Sequence, residues 1–170
     1  MARGVYTITG VNMTLKTTAN PTTLLFLNPG TTCSLLVLRM GVSQMGTTTS
    51  TQFGLQVQTQ TVGTAFPTVV SATPAKTAII DQASAITGVS GACTAGHCGI
   101  NASAEGTGSP TITPLFAYGP NNLNGWEWIA TPPEQILLSA GGSSGLGIAM
   151  LTTWATLNTG WNVFLTYQEV

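Results

Sequence analysis

Gln52-Phe53-Gly54-Leu55-Gln56-Val57-Gln58-Thr59-Gln60 alternates apolar and polar side chains with a period of two. In an extended chain successive side chains point to opposite faces, so Phe53, Leu55 and Val57 form one dry face and Gly54, Gln56 and Gln58 one polar face. The same alternation runs through Asn12 to Thr18, where Met13 and Leu15 interleave with Thr14 and Lys16. Helical periodicity is nearly absent, because Gly, Pro, Thr and Ser interrupt every window long enough for three turns.

Outward from that strand the chain reads as a series of others. Thr22 to Leu27 and Cys33 to Val42 are more continuously apolar, as central strands are, and Asn28-Pro29-Gly30 supplies the turn between them. Further strands are predicted over Val5 to Thr9, Ile112 to Tyr118, Gly125 to Ala130, Gln135 to Ser139, Leu146 to Thr152 and Asn162 to Glu169. Turn signals at Asn20-Pro21, Tyr118 to Asn122, Pro132-Pro133 and Ala140 to Ser143 separate them at sandwich-like spacing. The expected fold is all-β: one antiparallel β-sandwich spanning 1–170, jelly-roll-like, with a single interior layer between two sheets. Residues 61–110, rich in Ala, Gly, Ser and Thr, are expected to be a long irregular connection or insertion that meets neighbouring subunits, with short strands near Ala78 to Ile80 and Ile100 to Ser103 as the blander reading. The stretch 1–10 reads as a strand-like N-terminal arm.

Composition then narrows the function. Charged residues make up 5% of the 170, where about 25% is usual. Ordinary domains rely on dense charge of both signs for colloidal stability, so much of this surface is expected to be covered by other subunits. No membrane home is expected, since Leu24 to Leu27 and Leu35 to Leu38 fall far short of the roughly 20 residues of a spanning helix. Disorder is excluded by 43% hydrophobic content and four tryptophans. The polar share comes mainly from thirty threonines, β-branched and uncharged. A net charge of −1 carries no clustered basic surface for nucleic acid. The first residues lack an apolar signal-peptide core, so synthesis in a cytoplasm is expected.

Little in the chain suggests chemistry. Cys93-Thr94-Ala95-Gly96-His97-Cys98 holds two of the three cysteines and the sole histidine. A structural zinc needs four tetrahedral ligands; Cys93, His97 and Cys98 supply at most three close together, and Cys33 lies in a predicted buried strand. A Cys93 to Cys98 loop disulfide is the second possibility and unpaired thiols the third, which a reducing cytosol favours. Neighbouring His97 and Cys98 point apart along a strand and suit no nucleophile pair. Gly142-Ser143-Ser144-Gly145 lacks the strand-to-helix context of a nucleophile elbow. Glu127 and Glu134 are the only acids close in sequence, and they read better as exposed or interface carboxylates paired with a cation such as Arg39 than as a glycosidase pair. Trp126 and Trp128, two apart on a strand, share one face, either as a sugar-stacking platform or as core or interface packing; the second is favoured. No cofactor is expected, and no enzyme.

Several segments together resemble a known class: Gly63-Thr64-Ala65-Phe66-Pro67, Thr73-Pro74-Ala75-Lys76, Gly125-Trp126-Glu127-Trp128 before Pro132-Pro133-Glu134, Leu146-Gly147-Ile148 and the closing Thr166-Tyr167-Gln168-Glu169. In pattern and order they resemble small virion proteins of tailed bacteriophages that sit on the head as cement or decoration proteins. The resemblance implies a jelly-roll-like sandwich, often trimeric, on the capsid surface, clamping neighbouring major capsid subunits against internal DNA pressure. Such proteins often carry more charge in these strands than this chain does. The alternative is a carbohydrate- or receptor-binding module of a phage fibre or tail, using the Trp126 and Trp128 face. The arm from Met1 to Gly10 is expected to add to a neighbour's sheet edge through Val5, Tyr6 and Ile8.

Overall fold

The computed structural model describes residues 4–15, 21–61, 65–76, 83–151 and 157–170. Fourteen strands form: β1 Gly4–Met13, β2 Thr22–Leu27, β3 Leu35–Gln44, β4 Leu55–Thr61, β5 Thr68–Ser71, β6 Ala75–Lys76, β7 Thr87–Gly88, β8 Gly91–Ala92, β9 His97–Ala104, β10 Ile112–Tyr118, β11 Trp126–Ile129, β12 Ile136–Leu138, β13 Ser144–Met150 and β14 Trp161–Glu169. A 3-10 turn, Pro132–Glu134, separates β11 from β12. They build two sheets, A in the order β11-β3-β14-β1-β6 with β12 also on β3, and B in the order β10-β4-β13-β2-β9-β5-β8 with β7 parallel on β9.

Pairing runs from the chain ends inward. β1 pairs with β14, β2 with β13, β3 with β11 and β12, and β4 with β10, all antiparallel. That is one long hairpin rolled into two layers, with β11-β3-β14-β1 of sheet A facing β10-β4-β13-β2 of sheet B in jelly-roll order. The inward faces carry Ile8, Met40, Val42, Leu55, Val57, Leu146, Ile148, Trp161 and Leu165, all buried in one cluster. The alternation that opened the sequence is therefore the pleat of β4, with Leu55 and Val57 in the core.

The segment 61–110 departs from expectation. Among its described residues it holds β5 to β9, and β9 lies inside sheet B between β2 and β5. Its small residues are a packing requirement: a Cβ on Gly99 would stand 2.7 Å from the carbonyl oxygen of Val70 on the neighbouring strand. The insertion also folds over the outer face of sheet B. There Phe26, Phe66, Val69, Cys93 and Ala102 make a second small core, with the Phe26 and Phe66 rings 5.4 Å apart. β2 is consequently buried on both faces, which explains its unbroken apolar run. Gly145 makes room for Phe26, whose ring a Cβ there would meet at 2.6 Å. Gln58 and Gln60, on the polar side of β4, are buried as well. The predicted Ile100 to Ser103 strand falls within β9, and Ala78 to Ile80 lies outside the described residues.

Two strand expectations are corrected at the N-terminal end. β1 runs on to Met13, and Thr14 and Leu15 are not in a strand. More consequentially, the stretch from Gly4 is no free arm: β1 pairs with β14 along its length and with β6 at Tyr6 and Thr7. Tyr6 and Ile8, expected at an interface, are 1% and 0% exposed, because the register turns their side chains into the core. Tyr6 packs on Tyr167 with ring centroids 5.7 Å apart.

One end of the roll is closed by a buried amide network. Asn122 Nδ2 donates to Gln44 Oε1 at 2.8 Å and to the Thr49 carbonyl at 2.9 Å, while its Oδ1 accepts the Thr51 N–H at 2.8 Å. Gln44 Nε2 donates in turn to the carbonyls of Leu157 and Thr159. Three loops are thereby tied together. Asn122→Ala strands the buried Gln44 oxygen and is expected to cost about 2–3 kcal/mol, read as a lowered urea midpoint with unchanged slope; a loss below about 0.5 kcal/mol counts against the network.

Candidate functional site

The two outer faces of the sandwich differ. The insertion roofs sheet B around β2, whereas no described segment covers the outer face of sheet A, where Thr9, Arg39, Ser43, Glu127, Ile129 and Leu137 are exposed. Register places four rows of side chains on that open face. They are Leu137, Leu36, Gln168 and Val5; then Ile129, Arg39, Thr166 and Thr7; then Glu127, Gly41, Phe164 and Thr9; and last Ser43 and Asn162 beside Gly125. Ile129 and Leu137 are 63% and 57% exposed. Among these residues Arg39 and Glu127 are the only charged ones. Their Nε and Oε1 are 3.8 Å apart and both side chains are about half exposed, the pairing expected from the sequence. The Arg39 guanidinium also stacks on Phe164, 4.8 Å from the ring centre.

Gly41 shapes the middle of the face. The Phe164 ring lies over it so closely that a Cβ would come 2.5 Å from a ring carbon. Beside it a shallow groove of about 320 Å³ opens between Phe164, Ser43, Asn124, Gly125, Glu127 and Asn162. Its walls offer hydroxyls, amides and one carboxylate, and no nucleophile with an adjacent base.

Trp126 and Trp128 do share one face of their strand, and that face turns inward. Sheet A ends at β11 and sheet B at β10, and the two edges meet there. Trp126 packs on Tyr118 at 5.3 Å and Trp128 on Phe116 at 5.5 Å, so four rings form a seam closing the sandwich. Both tryptophans are half-buried against the core. Used this way, the rings support packing over sugar stacking. Glu134 closes the 3-10 turn by accepting from Thr131 Oγ1 at 2.8 Å and stands apart from the Arg39 and Glu127 pair.

The cysteine and histidine group comes apart in the fold. Cys93 sits in the small core under the insertion and Cys98 in the main core, on opposite sides of sheet B. Cys93 Sγ donates to the His97 carbonyl and Cys98 Sγ to the Ala72 carbonyl, while His97 Nδ1 meets Thr94 Oγ1 at 3.1 Å. Cys33 is buried in the turn before β3, not in a strand, and none of the three cysteines forms a disulfide. No group of metal-ligating side chains occurs among the described residues.

Burial pushes the Cys98 thiol up to about 12 and the Cys93 thiol higher still. Thiols of the unfolded chain ionise near 8.5, so the folded state binds more protons above that pH. Their contribution to stability is intact below about pH 8.5 and falls progressively as pH rises toward 12. Native alkylation by iodoacetamide at pH 8 is therefore expected to be slow and to accelerate only with unfolding; rapid native labelling of Cys93 or Cys98 would contradict this.

A polar clamp that the sequence did not suggest joins β14 to the insertion. Glu169, fully buried, accepts from Ser84 Oγ at 2.6 Å and from the Ala85 N–H at 2.7 Å, and Tyr167 Oη shares Ser84 at 2.7 Å.

No family model, curated protein or solved structure matches the chain.

Proposed function

We propose that this chain is a structural virion protein of a tailed phage, a capsid cement or decoration subunit that stabilises the shell by clamping neighbouring major capsid subunits. The observation that carries the reading is the open face of sheet A: a nearly uncharged sheet surface with one ion pair and exposed Ile129 and Leu137, in a chain that roofs its other sheet itself. A surface with so few charges favours a covered state. The protein binds the assembled shell and not free capsid subunits, so it stabilises the particle by mass action. Val5, alone among the expected arm residues, lies on this face. The subunit is a homo-oligomer, with the trimer implied by the resemblance, made in the host cytoplasm and resident on the capsid surface. It performs no catalysis.

The experiment is cosedimentation of the purified protein with phage shells, after its mass in solution is fixed by light scattering. Saturable binding that raises the temperature of shell disruption supports the reading. A protein that ignores shells at tens of micromolar overturns it.

A further inference from the structure

We propose that two copies of this chain pack face to face through the outer surface of sheet A about a two-fold axis, Arg39 of each copy meeting the partner's Glu127. The inference rests on reading that face as an assembly surface and names its occupant as a second copy.

The alternatives within the fold are less suited to such a contact. The insertion covers the outer face of sheet B around β2, and only the β10 margin, with Ile112, stays exposed there. The edge strand β10 carries Pro114, which has no N–H to donate, and a register shift follows at Pro114 and Phe116. Both features blunt an edge against strand addition. At the same end of sheet A, the edge formed by β11 and β12 is broken by Pro132 and Pro133. On this side sheet A offers a broad face rather than an edge.

Its chemistry is self-complementary. A two-fold contact brings a patch against itself, so a patch with a single charge would repel its copy. This one carries one cation and one anion side by side. Turned on itself, it sets each guanidinium beside the opposite carboxylate and converts two half-exposed pairs into one four-charge cluster. Around that cluster lie Ile129, Leu137, Leu36 and Val5, groups that gain from leaving water. Four strands about 4.8 Å apart with four outward rows about 6.8 Å apart span roughly 500 Å² per copy, or roughly 1,000 Å² in total, the lower bound for a specific interface. The contact is therefore weak to moderate alone and effective when repeated. It engages neither the β10 edge nor the β11 seam, so it is compatible with trimers and would join one to the next.

Charge exchange tests it. Arg39→Glu makes the patch wholly acidic and Glu127→Arg makes it wholly basic; both positions are half exposed, and circular dichroism should show an unchanged fold. By sedimentation, wild type is expected to dimerise, and each variant alone to associate at least tenfold more weakly. A one-to-one mixture of the two variants is expected to recover association to within about threefold of wild type. Repulsion inside each variant persists in the mixture, so recovery can come only from contact between chains. Ile129→Lys, on the same face and away from the core, is expected to be monomeric. A monomeric wild type, variants that still self-associate, or a mixture that fails to recover would each overturn the inference. Shell binding is scored separately: a monomer that binds shells overturns the two-fold contact and leaves the proposed function standing, and a dimer that ignores shells does the reverse.

Discussion

Trp161→Ala is expected to lose about 3–5 kcal/mol, enough to leave a domain of ordinary stability close to unfolded. The indole is fully buried, meets the edge of Phe53 at 4.9 Å, and donates from Nε1 to the Leu157 carbonyl at 2.8 Å. Alanine leaves a cavity between the sheets that rigid strands cannot collapse into. Trp161→Phe should cost much less, about 1–2 kcal/mol, because the Leu157 carbonyl keeps its second donor in Gln44 Nε2. Urea titrations of the three proteins measure the difference. An alanine variant within 1 kcal/mol of wild type would show that the inter-sheet core does not hold the roll together.

Removing residues 1–10 is expected to abolish the cooperative unfolding transition altogether. Such a deletion takes Tyr6 and Ile8 out of the core and exposes the far edge of β14. Near-ultraviolet dichroism should collapse, and the product should aggregate. Val5→Lys provides the contrast: Val5 lies on the outer face, so the fold should persist while association through sheet A weakens. A truncated protein that still melts cooperatively at the wild-type temperature would mean that β1 is dispensable, as a true arm would be.

The strands were legible where side-chain chemistry alone set them. β2 and β10 fall at their predicted bounds, and β3, β4 and β14 within a few residues, because each is marked by alternation or an apolar run between turn residues. β9 was only half legible: Ile100 to Ser103 stood as the blander reading of a stretch taken for an irregular connection. Gly99 within it is required by the closeness of Val69 and Val70, a constraint that exists only once the strands are side by side. The arm was misread for the converse reason. Its alternation was evident, but its pairing partner β14 lies at the opposite end of the sequence, where no local signal reaches. For the candidate site, the Arg39 and Glu127 pair was foreseen because cations are so scarce. The open face was not, since knowing which polar face is roofed requires knowing where 61–110 folds.

The place of β14 in sheet A, between β1 and β3, bears on how the molecule is made. During synthesis the two flanking strands emerge long before the strand that joins them, and the sheet keeps a slot open until β14 has left the ribosome. Every β1 contact with β14 spans nearly the whole chain, and such distant closures fold slowly. At high local concentrations, an empty slot on one molecule can accept β14 of another. Strand exchange between nascent chains is thus the characteristic hazard of this topology, and refolding at high dilution from the start is the practical remedy.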